Sequence, residues 1–428
     1  MAAGNNTNIA DKDVISSMGD SEVFVRRYDK NATGRIWPIL TLCTLLIGVG
    51  IIIVNTFFSQ VDRAWTGFPR LAANIIFGII VSICIIRMDY RKLNSAAWTG
   101  FAIILVLVML CFSPAGFHFY GVHRLIIFRQ FIVYVPDLCV LAVIPISIIM
   151  CKLKKRSGVI CIFITWGLTA LLLLIMGIMP ALPQMALIGT TVLILLITAY
   201  RRGFFVRFDT FSKAAIFIWV FLGIYTIYIF ANMPTFKGIW DSFAFFGAND
   251  PFVSGYHTNM THKWLLNSSV FGSGESLING RIIEHSLPNP VNEVAWIYFT
   301  VRYGLIAGIF VLFAVITVAV NLFKMSLKIK NELGYYMSLA SSIVFALKTG
   351  VGILICLGLL PIVSIEIPFI SYNRFGLLVD MIIVSIVLSA WKHNKEYPAG
   401  QQIEEGRLIS GAWNLFYGLF NKVLRDET

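Results

Sequence analysis

Long apolar runs alternate with short polar ones from about residue 36 to residue 391. A helix needs about 20 mostly apolar residues to cross a bilayer. Runs of that length at 36–58, 68–86, 97–113, 131–150, 158–178, 182–199, 213–231, 294–320, 336–360 and 368–391 predict ten transmembrane helices. The fifth and sixth are joined by Met179-Pro180-Ala181-Leu182-Pro183, a proline turn that predicts a helical hairpin. The expected fold is an all-α polytopic membrane protein of about ten spans. One long extracytoplasmic loop, 232–293, separates the seventh span from the eighth.

The flanks are polar. Residues 1–35 hold Gly, Asn, Asp and Ser and read as a disordered cytoplasmic tail. The first apolar run starts too late for a cleavable signal peptide and is expected to stay as an anchor. Residues 392–428 form a second cytoplasmic tail. Within it Trp413, Phe416, Leu419 and Phe420 cluster at helical spacing. They suit an amphipathic helix, lying either in the membrane interface or against the cytoplasmic face of the bundle.

Composition narrows the class. The 428 residues are 58% hydrophobic and 13% charged, against roughly 25% charged in soluble domains. A soluble globular protein is excluded. A net charge of +12 would point to nucleic acid in a soluble chain. Here the basic residues gather on one side of the bundle: Arg87, Arg91 and Lys92, then Lys152, Lys154, Lys155 and Arg156, then Arg201, Arg202 and Arg207, then Lys324, Lys328 and Lys330. Arg26, Arg27, Arg35, Lys392 and Lys395 join them. The positive-inside rule accounts for the excess, makes both termini cytoplasmic, and leaves no case for a nucleic-acid partner.

Several classes of chemistry find no support. The seven cysteines form no Cys-x-x-Cys pair and read as small packing residues. His118 and His123, like His257 and His262, are five apart, which is not a helical metal spacing. No Gly-x-x-x-x-Gly-Lys loop is present, so ATP hydrolysis is not expected.

Charges inside spans are costly and default to functional hypotheses. Lys348 and Asp380 lie near the middles of adjacent antiparallel spans, which suggests an ion pair. Such a pair serves either as a structural pin or as the floor of a polar cavity. Nearer the outer rim, Gly272-Ser273-Gly274 forms a glycine turn, and His285 precedes the rigid Leu287-Pro288-Asn289-Pro290. Glu293 follows at the membrane boundary, with Arg302 nine residues on, about 13 Å along a helix. A carboxylate there suits a general base on a lipid-linked substrate. It equally suits the acidic start of a helix, favoured by the dipole.

Two stretches resemble a known family. Val270-Phe271-Gly272-Ser273-Gly274, Leu287-Pro288, Glu293 and Tyr303-Gly304-Leu305-Ile306-Ala307-Gly308 follow, in order and spacing, a motif series of the SEDS family (FtsW, RodA, SpoVE). Gly358-Leu359-Leu360-Pro361 and Ile367-Pro368-Phe369-Ile370-Ser371-Tyr372 resemble its Gly-Leu-Leu-Pro…Leu-Pro-Phe-Ser-Tyr signature. Asp250-Pro251 and Gly255-Tyr256-His257 are similar to its loop motif. The resemblance is specific from about Asp250 to Leu378.

The resemblance implies a peptidoglycan glycosyltransferase of the bacterial plasma membrane. It would polymerise lipid II, or another polyprenyl-pyrophosphate-linked sugar, beside a single-span class B penicillin-binding protein. It implies Glu293 as the catalytic carboxylate. Arg302, Lys348 and Arg374 are this chain's own candidate cations for the leaving group, and Asp380, Gly272, Gly274, His285 and Ser371 are the other candidate substrate contacts. No metal ligands are assigned, although a divalent cation is an option for neutralising the leaving group. A non-catalytic scaffold and a lipid-precursor flippase are the alternatives.

The chain also departs from the family. The family's catalytic aspartate falls on Glu293, one methylene longer. Its Glu-Glu becomes Val301-Arg302, and its Gly-Gly after Ser-Tyr becomes Asn373-Arg374. A glutamine and an asparagine of the ninth span become Lys348 and Gly352. The fourth-span Gln-Pro-Ser-Glu, with a lysine beyond it, becomes Val135-Pro136-Asp137-Leu138 without that lysine. Pro183-Gln184 and Gly189-Thr190 are a loose counterpart of its Gln-Pro-Asp-Leu-Gly-Thr.

Overall fold

A computed structural model describes residues 21–60, 64–113, 116–119, 122–128, 131–155, 158–179, 181–204, 256–272, 277–278, 281–283, 290–360 and 363–394. The expected seventh span (213–231) and the amphipathic helix of the C-terminal tail lie outside these residues.

The described chain is mostly helical. Its main helices are α1 (Ser21–Gln60), α2 (Ala64–Arg87), α3 (Ala97–Leu110), α4 (Val135–Lys152, with a 3-10 turn at Val140–Ala142), α5 (Gly158–Ile178) and α6 (Leu182–Arg201). After these come α7 (Tyr256–Leu266), α8 (Ala295–Tyr303), α9 (Leu305–Ser326), α10 (Glu332–Cys356) and α11 (Arg374–Lys392). Among the described residues, seven helices are long and apolar enough to cross a membrane. Such helices satisfy their own backbone groups, which lipid requires. Large apolar side chains are exposed on them, such as Phe310 and Phe313 of α9, and on the shorter apolar helices α2 (Ile76, Phe77) and α3 (Ile103, Met109).

The helices are not equivalent. About 78% of the α4 span, 72% of α11 and 67% of α10 is buried inside the protein, against 33% of α1 and 39% of α9. So α4, α10 and α11 form the centre, and α1 and α9 are rim helices. Ser338, Ser341 and Ser342 on α10 are fully buried. Small residues of this kind let helices approach closely where there is no water to drive association.

Two ends of the bundle differ in chemistry. At one end Lys154 pairs with Glu332, Arg202 stacks 3.8 Å over the Tyr335 ring, and Ser389 donates to the Met88 carbonyl at 2.8 Å. The backbone N–H of Lys330 donates to Asn394 Oδ1 at 3.0 Å. This is the end where the basic loops converge. The opposite end holds residues 178–179, 181–182, 266–272, 290–294, 356–360 and 363–373.

Four boundaries differ from the sequence pattern, each for a physical reason. Helix α1 reaches back to Ser21, into the segment expected as a disordered tail. Phe131–Tyr134, expected as the start of the fourth span, is instead strand β3, paired with β2 (Val122–Phe128) through Leu125↔Tyr134 and Phe128↔Phe131. Strand β1 (Gly116–Phe119) completes the sheet. A short apolar run suits a strand as well as a helix, and hydropathy does not separate them. The last span starts at Arg374 rather than 368. There Asn373 caps the helix, accepting from the Gly376 N–H at 3.3 Å.

The fourth difference is a break in the expected 294–320 span. Gly304 has φ +98° and ends α8, and α9 begins at the next residue. The chain before α8 closes against the break: the N–H groups of Leu305 and Ile306 donate to the Ser269 and Val270 carbonyls at 3.0 and 3.3 Å. Gly272, at φ +79°, lies against it. A Cβ on Gly304 would stand 2.5 Å from the Gly272 nitrogen. Gly304 thus needs both a left-handed backbone and the missing side chain. Gly304→Ala is expected to cost at least about 2 kcal/mol, measured by thermal unfolding in detergent. Gly48→Ala, in α1 where an added Cβ meets nothing within 4 Å, is expected to gain roughly 0.5–1 kcal/mol.

Candidate functional site

Three acidic side chains and one lysine meet in the interior of the bundle. Lys348, near the middle of α10, donates to Asp380 Oδ1 at 2.8 Å and stands 3.4 Å from Glu366 Oε1. Lys348 is 5% exposed, Glu366 3% and Asp380 0%. Asp137, two residues into α4, is also buried. It accepts from Gln184 Nε2 at 3.1 Å and from Asn373 Nδ2 at 2.6 Å. Asn373 Nδ2 also lies 3.2 Å from Glu366 Oε1 and so bridges two of the carboxylates.

Helix ends explain how these residues meet. Asp137 and Gln184 lie in the first turns of α4 and α6, and Asp380 is in the second turn of α11. Glu366 arrives on a non-helical segment, 363–373, which runs down between α10 and α11. Gly376 makes room for it: a Cβ there would overlap Glu366 Oε1. At Phe369, φ is +69°, a conformation that a bulky residue adopts only when its surroundings force it. Its N–H points at Asp380 Oδ2, 3.4 Å away. The segment's irregular backbone is therefore supplied with polar partners inside the protein, the condition for non-helical chain at membrane depth.

The same segment touches the rim carboxylate. The Tyr372 N–H donates to the Val291 carbonyl at 2.7 Å, and Cys356 Sγ lies 3.5 Å from the Glu293 carbonyl. Glu293 is half-buried, in a turn just before α8. It precedes the helix cap, Val294, so it sits outside the first turn where a dipole contribution is largest. Tyr298, on the first turns of α8, packs edge-on against Phe57 of α1 at 6.1 Å. The turn that carries Glu293 is thus held by α10 and by the 363–373 segment.

The other sequence candidates fall differently. Asp380 and Lys348 are brought together as an ion pair, the arrangement their spacing suggests. Their charges are committed to each other. Ser371 is buried on the descending segment. Arg302 is half-buried at the far end of α8, and Arg374 opens α11. Gly272 abuts the Gly304 break. Gly274 and His285 lie outside the described residues. Glu366 was not singled out in the sequence, although a lone carboxylate between Ile365 and Ile367 is a signal in so apolar a chain. Asp137 and Gln184 stood out only as family counterparts.

Comparison with known proteins places this geometry. The family model described as "Cell cycle protein" (FtsW, RodA, SpoVE) matches residues 35–396. The chain belongs to this family. Two relatives carry the name "Probable peptidoglycan glycosyltransferase FtsW". The one from Enterococcus hirae is 24% identical over 145 residues, 33% of this chain and 36% of that protein. The one from Thioalkalivibrio sp. (strain K90mix) is 26% identical over 157 residues, 36% of this chain and 38% of that protein. The aligned part thus spans little more than a third of either relative. Two solved structures share the fold. A chain from a peptidoglycan synthase complex studied for coordination of polymerization and crosslinking superposes with a TM-score of 0.63 at 14% identity, covering 84% of this chain and 98% of that one. The rod shape determining protein RodA of Thermus thermophilus gives 0.54 at 13% identity, with the same coverage.

The ion pair makes a direct prediction. Lys348→Met leaves two buried carboxylates without their cation, which costs about 3–5 kcal/mol. The double variant Lys348→Met/Asp380→Leu is expected to recover part of that loss. Thermal unfolding of the three purified proteins in one detergent checks the order.

Proposed function

We propose that the chain is a peptidoglycan glycosyltransferase. It joins lipid-linked disaccharides at the outer face of the bacterial inner membrane, with both termini in the cytoplasm. The observation that carries this reading is the placement of Glu293: a half-buried carboxylate at the mouth of α8, held from two sides, within the span matched by the family. The names of the two FtsW relatives support the reaction class. The likeness to a chain of a synthase complex supports a crosslinking partner, for which a single-span transpeptidase is the fitting kind. The basic end of the bundle supports the orientation.

In this reading the Glu293 carboxylate takes the proton of the acceptor sugar hydroxyl. The freed oxygen attacks the anomeric carbon of a second lipid-linked sugar. One glycosidic C–O bond forms, the anomeric C–O bond to phosphate breaks, and polyprenyl pyrophosphate leaves with the electron pair. Negative charge grows on the leaving group, and fixed positive charge there lowers the barrier. Arg302 and Arg374 are the basic residues we assign to that task, since Lys348 is spent on Asp380. A divalent cation at the pyrophosphate would supply similar charge, although no group of three or more His, Cys, Asp or Glu among the described residues is arranged to hold one. Gly272 and Ser371 belong to the walls of the substrate groove in this reading, with Gly274 and His285 of the outer loop.

The test is polymerisation of labelled lipid II by the purified protein, followed by separation of glycan chains. Glu293→Gln is expected to lower the rate at least about 100-fold. Glu293→Asp keeps the charge but withdraws it by about 1 Å, and is expected to lose roughly tenfold to a hundredfold. Full activity in Glu293→Gln would remove this carboxylate from the mechanism. A folded wild-type protein that makes no polymer yet binds a transpeptidase would instead mark a scaffold.

A further inference from the structure

We propose that the buried cluster contains a binding site for one small monovalent cation, of sodium size. Asp137, Glu366 and the Gln184 amide oxygen are its ligands. This goes beyond glycosyl transfer and does not depend on it.

The first observation is a charge imbalance. Among the described residues, Asp137, Glu366 and Asp380 face one cationic group, the Lys348 ammonium. Lys348 stands closest to Asp380, at 2.8 Å, and reaches Glu366 at 3.4 Å. Asp137 receives only neutral amide donors, from Gln184 and Asn373. An ionised carboxylate held by amides alone, in a site closed to water, is expensive.

The second observation is independent of the first. Gln184 is 1% exposed, and its Oε1 has no hydrogen-bond partner among the described residues. Its amide cannot be turned over to relieve this. Nε2 donates to Asp137 Oδ1 at 3.1 Å and to the Ser364 carbonyl at 2.9 Å. Both partners are acceptors, so the nitrogen must face them. The oxygen is therefore fixed in place, asking for a donor or a cation.

The third observation is space. A cavity of about 10 Å³ is lined by Asp137, Gln184, Lys348, Ser364 and Glu366. That is about the room one water molecule needs. Hard cations choose oxygen ligands such as these. A divalent ion fits poorly: magnesium gives up its waters reluctantly, calcium takes about six to eight oxygen ligands, and either would sit beside the Lys348 ammonium. A bare monovalent ion matches the volume and the ligand type, and it offsets one of the two uncompensated charges while leaving Lys348 in place. In this position it joins α4, α6 and the 363–373 segment that bears Glu366.

The experiment uses the purified full chain in detergent. Binding of radioactive ²²Na⁺ is measured by scintillation proximity, and thermal unfolding is followed in sodium, potassium, calcium or choline chloride at equal ionic strength. The expected results are saturable ²²Na⁺ binding near one ion per chain and a midpoint several degrees higher in sodium than in choline. Asp137→Asn is expected to abolish both effects while unfolding in choline at or above the wild-type midpoint. Gln184→Leu, which keeps the carboxylates, is expected to weaken sodium binding at least tenfold. If Asp137→Asn does not fold, Gln184→Leu and the wild-type salt series decide. No ²²Na⁺ binding and identical midpoints in sodium and choline would overturn the proposal and leave a protonated carboxylate with one water as the occupant. So would a response to calcium alone, or sodium binding that survives both substitutions.

Discussion

Everything in the interior follows from the cost of placing charge where there is no water. Lys348 lies on α10, one of the three central helices, and each carboxylate around it must be compensated within a few ångströms or it would push the helices apart. The compensating donors come from three elements: Lys348 of α10, Gln184 of α6, and Asn373 with the Phe369 N–H on the 363–373 segment. An apolar interface of the same size would tolerate sliding. A lysine with fixed partners does not, so the network sets register as well as energy.

That register is what the outer rim inherits. Segment 363–373 is not helical, and it keeps its path through Glu366, the Phe369 N–H and Asn373, all tied to the charged cluster. Its far end, Tyr372, holds the turn that carries Glu293. A base must sit within hydrogen-bond reach of the proton it takes. In the proposed mechanism that base is Glu293, which rests on a turn tied through the 363–373 segment to the buried ion pair. The Gly272–Gly304 contact does the same from the other side, by closing the loop onto the break between α8 and α9. Rim helices such as α1 and α9 face lipid and carry less of this constraint.

Much of the scaffold was legible in the sequence because hydropathy measures what lipid demands. Apolar runs marked most of the described spans, basic loops marked one end, and the spacing of Lys348 and Asp380 suggested their pairing. Hydropathy failed where local chemistry overrode it. Phe131–Tyr134 is as apolar as a helix start but pairs as a strand, and Gly304 splits a run that reads as continuous. The rest of the cluster was hidden for a different reason. Asp137, Gln184 and Glu366 are distant in sequence, and only the fold shows that they share one cavity. Glu293 was visible through family motifs, but the tethers of its turn, Cys356 Sγ and the Tyr372 N–H, were not, because contacts to backbone carbonyls leave no signature on the accepting residue.

The claim that the charged interior positions the rim carboxylate has a direct measurement. Hydrogen–deuterium exchange, read by mass spectrometry, compares the wild type with Lys348→Met in the same detergent. The account predicts faster exchange in peptides covering 363–373 and 290–298, with peptides at the basic end, around 330–336, unchanged. Faster exchange confined to α10 around residue 348, or spread evenly over the whole bundle, would contradict it.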